Sequence, residues 1–179
     1  MKNLWSLNID ELLVASRLKE KFSKSKYEVF FPLNSQMKDI DLILVSLKSY
    51  KTVRIQVKGS RTYSPRKSET QKWGEGSAAW FTITKKSIFN LKSGVSYYIF
   101  VLHSIYNGDI KKDIRINYLI IPVKEFRTFC QKKTIRKGEK YHFFIWIDPN
   151  GNRAFDFNNR KGKEIDLSKY IDNWDLLLK

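Results

Sequence analysis

Regular patterning begins at Asn8. Glu11, Ala15, Leu18 and Phe22 recur at intervals of four, three and four residues, which is one face of a helix. Asn8 stands three residues before Glu11, a capping-box spacing ahead of Leu12-Leu13-Val14-Ala15. The pattern predicts a helix over about residues 9–23, with Lys19, Lys21 and Lys24 off the stripe. Strands follow at 27–31, stopped by Pro32, at 40–47 and at 52–58. In the third, Val53, Ile55 and Val57 alternate with Arg54, Gln56 and Lys58, the period of a strand with one apolar face. The link Lys48-Ser49-Tyr50-Lys51 is short enough to make the second and third strands an antiparallel hairpin. Residues 59–78 are polar, contain glycine and have no period, so they read as a long loop. Beyond it the pattern predicts a strand at 79–84, a helical turn at 86–91 and a strand at 97–103. A turn at Asn107-Gly108, a strand at 114–121 and a helix at 123–132 come next. The chain then offers a strand at 141–147, a turn at Pro149-Asn150-Gly151 and a closing helix at 168–178 capped by Ser168. No repeat or linker interrupts this order, which implies one α/β domain with a mixed sheet flanked by helices.

Composition narrows the function. A length of 179 residues suits one domain, typically about 100–200 residues. Hydrophobic residues at 42% and aromatics at 15% exclude a disordered basic tail. Lys and Arg number 34 against 18 Asp and Glu, a net charge of +16, so the partner is acidic: nucleic acid first, an anionic membrane second. Apolar runs such as 97–102 fall far short of the roughly 18–20 residues of a membrane span. Residues 1–8 lack the apolar stretch of a signal peptide, and the single Cys fits a reducing cytoplasm. One Cys and two His exclude a Cys/His zinc cluster, so any metal must sit on oxygen ligands.

The charge is concentrated. Residues 48–72 hold eight Lys and Arg against Glu69 alone, with Tyr63, Trp73 and Trp80 interleaved or adjacent. Cations contact phosphates and aromatics stack on unpaired bases, which makes Ser60, Arg61, Arg66, Lys67, Lys72 and Trp73 candidate nucleic-acid contacts. Trp80 lies in an apolar strand and reads as core. Residues 124–140 hold seven Lys and Arg against two Glu, either a second binding face or solubilising charge. His103 and His142, at ends of apolar strands, read as structural, Cys130 as a packed apolar residue, and Trp174, Leu176, Leu177 and Leu178 as core.

Asp41 opens one strand of the hairpin and Gln56-Val57-Lys58-Gly59 closes the other. Antiparallel pairing brings these ends together, and alternation points Gln56 and Lys58 to one face. Asp39 is a rival two residues earlier, placed before the apolar run. With Glu11 on the preceding helix, this constellation resembles the PD-(D/E)XK nuclease superfamily, the restriction-endonuclease-like and Holliday-junction-resolvase-like fold. The likeness covers about residues 9–62 and weakens towards Val101. Ile40 stands where a proline is usual, and Gln56 replaces the usual acid; a neutral amide oxygen binds Mg²⁺ more weakly than a carboxylate.

The resemblance implies a restriction-endonuclease-like core over 9–103, elaborated by 104–179 within the same domain. It implies an endonuclease that hydrolyses phosphodiester bonds in DNA with Mg²⁺ or Mn²⁺. Asp41 would be the central metal ligand, with Glu11, Gln56 and the Val57 carbonyl beside it. Lys58 would orient or deprotonate the attacking water, or stabilise the developing charge. A homodimer is a further partner the resemblance allows. Two other readings stay open: a catalytically weak or inactive nucleic-acid-binding module of the same fold, and an interaction subunit of a defence or mobile-element complex.

Overall fold

The computed structural model describes residues 8–32, 39–90, 94–107, 112–133, 139–157 and 164–178. Its elements run α1 (Ile9–Lys21), β1 (Tyr27–Phe30), β2 (Leu42–Ser46), β3 (Thr52–Gly59), β4 (Thr62–Tyr63), α2 (Lys67–Trp73), β5 (Ser77–Thr84) and α3 (Lys85–Phe89). They continue with β6 (Tyr97–Asn107), β7 (Lys112–Pro122), α4 (Val123–Gln131), β8 (Lys140–Ile147), β9 (Ala154–Asp156) and β10 (Ile165–Asp166). Two short 3₁₀ turns, Ser168–Tyr170 and Trp174–Leu178, close the described chain. The turn expected at Asn107-Gly108 lies partly outside the described residues.

α1 starts where the pattern places it. The Asn8 side chain accepts a hydrogen bond from the Asp10 N–H at 3.2 Å, so one helix-end donor is satisfied. Asp10 and Glu11 fall in the first turn and Lys19 and Lys21 in the last, which suits the helix dipole. The expected stripe is buried, and Asp10 and Val14 widen it.

Among the described residues ten strands form two five-stranded sheets. In the first the order is β1-β2-β3-β6-β7. β1, β2 and β3 are an antiparallel meander, β6 runs parallel to β3, and β7 returns antiparallel to β6. A parallel pair needs a long crossover; here it carries β4, α2, β5 and α3. The second sheet has the order β10-β9-β8-β5-β4 and is antiparallel throughout.

The first sheet is buried on both faces. On one, Val53, Ile55, Val57, Ile99 and Val101 pack under Val14, Ala15 and Leu18 of α1. Trp174 and Leu177 of the last 3₁₀ turn join this layer. On the other, Tyr98, Phe100 and Leu102 meet Phe81, Phe143 and Ile145 of the second sheet. Phe126 of α4 wedges into this layer, its ring centroid 4.6 Å from Tyr98 and 5.0 Å from Phe143. Cys130 is fully buried there, and burial pushes its thiol up to about 12.

The mixed α/β class agrees with the sequence, and three expectations are corrected. A helix covers one face of the mixed sheet, while a second sheet with α4 covers the other. Residues 59–78 are not a plain loop, because they form β4, α2 and the start of β5. Residues 168–178 do not form one helix: Asp172 takes a positive φ of 48° and the Ser168 hydroxyl accepts from the Ala154 N–H, so two 3₁₀ turns result. Within residues 104–179, β8, β9 and β10 share a sheet with β4 and β5. Among the described residues, no helix is long and apolar enough to cross a membrane.

Candidate functional site

The hairpin register decides what meets at its open end. Leu42 pairs with Ile55, and the regular register ends there. The Asp41 N–H donates to the Ile55 carbonyl at 2.9 Å. The ladder then changes character, because the Asp41 carboxylate itself accepts the Val57 N–H at 2.8 Å. A residue's N–H and C=O leave a strand on the same edge, so the Val57 carbonyl also faces the Asp41 side.

Gln56 is buried, 4% exposed, and its Oε1 atom has no hydrogen-bond partner among the described residues. A buried amide oxygen left so costs about 1–3 kcal/mol in desolvation. Lys58, half-buried, is on the same face of β3 as Gln56. Asp41, Gln56 Oε1 and the Val57 carbonyl are hard oxygen donors, the set that suits Mg²⁺ or Mn²⁺. Asp39 is drawn elsewhere: its carboxylate accepts from the Asn90 side chain at 3.3 Å, at the end of α3.

The acids of α1 arrive from the other side. Glu11 is buried on the first turn of α1, which covers the Val57 face of β3, whereas Gln56 and Lys58 line the opposite face. Among the described residues no group of three His, Cys, Asp or Glu side chains converges as a metal cluster. Sequence reasoning passed over Asp10, which lies against the end of β3. A Cβ at Gly59 would fall 1.6 Å from Asp10 Oδ2, so only glycine lets the carboxylate sit there. Asp10 Oδ1 also meets His103 Nε2 on β6 at 3.0 Å. The spacing of Asp10 to Val14 and Leu18 was the available signal, a second buried row beside the Glu11 row.

The basic segment after Lys58 resolves into distinct roles. Ser60 is structural: its hydroxyl accepts the Trp80 N–H at 2.9 Å and lies 2.8 Å from the Trp80 carbonyl. Arg61 and Lys67 are exposed, as is Arg66, whose N–H is capped by the buried Glu69 carboxylate at 2.8 Å. Lys72 pairs with Glu164 at 2.6 Å, and this bond holds the Glu164 carboxyl below the usual range. Trp73 packs against Trp146, Phe155 and Phe157, with centroids 5.5–5.8 Å away, so it is a structural ring. Trp80, expected in the core, is 43% exposed instead. In the second basic segment Lys133 is buried, and Arg127 donates to the Ile88 carbonyl at 2.8 Å. Arg136 and Lys137 lie outside the described residues. Comparison of the chain with family models, with curated proteins and with solved structures finds no match.

Proposed function

We propose that the chain is a metal-dependent endonuclease of restriction-endonuclease-like fold that hydrolyses phosphodiester bonds in DNA. One observation carries the reading: the buried Gln56 Oε1 has no hydrogen-bond partner among the described residues, on the strand whose Val57 N–H the Asp41 carboxylate accepts, with Lys58 on the same face of β3. A buried amide oxygen in that state calls for a partner, and a cation is one that hard oxygen donors suit. The order of α1, an antiparallel meander and a strand parallel to β3 supports the fold assignment.

Asp41, Gln56 and the Val57 carbonyl would hold the ion, while Glu11 stands on α1 over the opposite face of β3 from Gln56. A bound Mg²⁺ or Mn²⁺ supplies a water of lowered pKa and charge relief at the phosphoryl oxygens. Asp41 contributes the single full negative charge of the sheet-borne set, and its bond to the Val57 N–H fixes its rotamer. Lys58 supplies a positive charge on the same strand face, suited to an anionic phosphate or to orienting the attacking water. The surplus of +16 draws the polyanion to the surface.

The test is cleavage of plasmid and branched DNA with Mg²⁺ or Mn²⁺. Asp41→Ala and Lys58→Ala should each lower the rate about a hundredfold or more. Cleavage that survives both changes overturns the assignment. Tight, salt-sensitive binding without cleavage under either metal would make the chain a binding module, as the neutral Gln56 permits.

A further inference from the structure

The outer face of the second sheet is not covered evenly. Trp73 of α2 shields Trp146 and Phe155. Beside it a groove of about 570 Å³ remains, lined by Tyr63, Arg66, Glu69, Trp80, Phe144 and Phe157 among others. That volume lies in the range of ligand sites, roughly 300–1,000 Å³. We propose that this groove stacks the unpaired bases of a single-stranded nucleic acid. The nucleic-acid character of the occupant rests on the nuclease reading; the single-stranded state is what the groove adds.

Three features fit flat, apolar, negatively tethered ligands. First, the floor is aromatic and pre-set. Trp80 and Phe144 are cross-strand partners whose rings stack at 5.2 Å and 12°. The Trp80 indole N–H donates to His142 Nδ1 at 3.1 Å, which fixes the plane of the ring. Phe144 and Phe157 follow at 5.5 Å, and Tyr63 stands 46% exposed at the rim. Large rings left open to water are the signature of a stacking surface rather than of a core. Second, the charge is complementary. Arg66 lines the groove, while Arg61 and Lys67 are exposed next to lining residues in sequence. Glu69, the one acid in the lining, accepts the Arg66 N–H. Third, the floor is coupled to the candidate cleavage edge. Ser60, two residues beyond Lys58, is hydrogen-bonded to the Trp80 main chain. A strand stacked on Trp80 would therefore lead towards the end of β3.

The experiment uses the full chain in EDTA, so that binding is read without metal or cleavage. A fluorescently labelled oligo(dT) and a duplex of the same length are titrated by anisotropy. Trp80→Ala should weaken oligo(dT) binding about ten- to a hundredfold, the usual size of one base–aromatic stack. Trp80→Phe should keep most of the affinity, and Tyr63→Ala, at an exposed rim position, should lose several-fold. Duplex affinity should change less than twofold in all three. Unchanged oligo(dT) affinity in both alanine variants overturns the proposal, as does an equal loss for duplex and single strand. Absence of any oligonucleotide binding overturns it too, and would leave the groove to a protein or small-molecule ligand. Failure here is separable from failure of the nuclease reading: metal-dependent cleavage of duplex DNA that requires Asp41 stands or falls on its own assay.

Discussion

At the scale of single residues, the informative contact is between Gly59 and Asp10. Glycine after Lys58 looks like a loop opener in the sequence, yet its role here is to leave room. Any Cβ would lie 1.6 Å from Asp10 Oδ2 and 3.3 Å from Asp10 Cβ. Gly59→Ala must displace the Asp10 carboxylate from its place beside His103, and should cost about 1–3 kcal/mol, the usual penalty of overpacking. The cost should fall by more than half in an Asp10→Ala background, where only the tight Cβ contact is left. A urea-denaturation cycle over the four chains measures this coupling. An equal cost in both backgrounds would show that Asp10 is not what glycine makes room for. The pairing of β2 with β3 was legible from the sequence because the short link between them makes a hairpin. Asp10 shows in the sequence only as a position beside the Glu11 row, because its contacts with Gly59 and His103 lie on neighbouring strands.

Elements were readable in proportion to how local their causes are. α1, β3 and α4 announce themselves by cap and periodicity and lie within two residues of expectation. α2 does not, because its seven residues carry one apolar side chain, Trp73, and its reason to fold is the ring cluster of β8 and β9. Trp80 was read as core and is exposed for the same cause: strand context was visible, but which face another sheet would cover was not. The same sheet hides a pair that a charge count lists as surface. Lys133 Nζ and Asp156 Oδ2 approach to 2.5 Å with side chains 2% and 1% exposed. The ammonium also donates to the His142 carbonyl at 2.9 Å and sits 4.4 Å from the Phe143 ring centre. Asp156 in turn accepts the Phe144 N–H at 3.1 Å, so the pair anchors the strand that floors the groove. Lys133→Met or Asp156→Leu alone strands a buried charge and should cost about 3–5 kcal/mol. The double replacement should recover most of that loss, read as the midpoint of urea unfolding. A double variant as unstable as the sum of the singles would mean that packing, not charge pairing, sets the cost.

For the whole molecule, the net charge of +16 does not say which of the 34 cations meet a phosphate, because several of them are held by carboxylates. Lys133 is spent on Asp156, Lys72 on Glu164 and Lys169 on Glu125. Arg61, Arg66 and Lys67 are exposed; Arg66 lines the aromatic groove, and the other two stand within two residues in sequence of a lining residue. Cations that neutralise phosphates release counterions, so each contact steepens the salt dependence of binding by about 0.7 for a single strand. Replacing Arg61, Arg66 and Lys67 together by alanine should therefore flatten the plot of log K against log salt by about 2. Lys72→Ala should leave the slope unchanged within about 0.3, because its ammonium already has a carboxylate. The measurement is oligo(dT) affinity in EDTA across a series of KCl concentrations. A slope lowered equally by Lys72→Ala would place that lysine on the phosphates and break its pairing with Glu164. An unchanged slope in the triple variant would move the phosphate track away from the groove, leaving stacking on Trp80 without the charge that should accompany it.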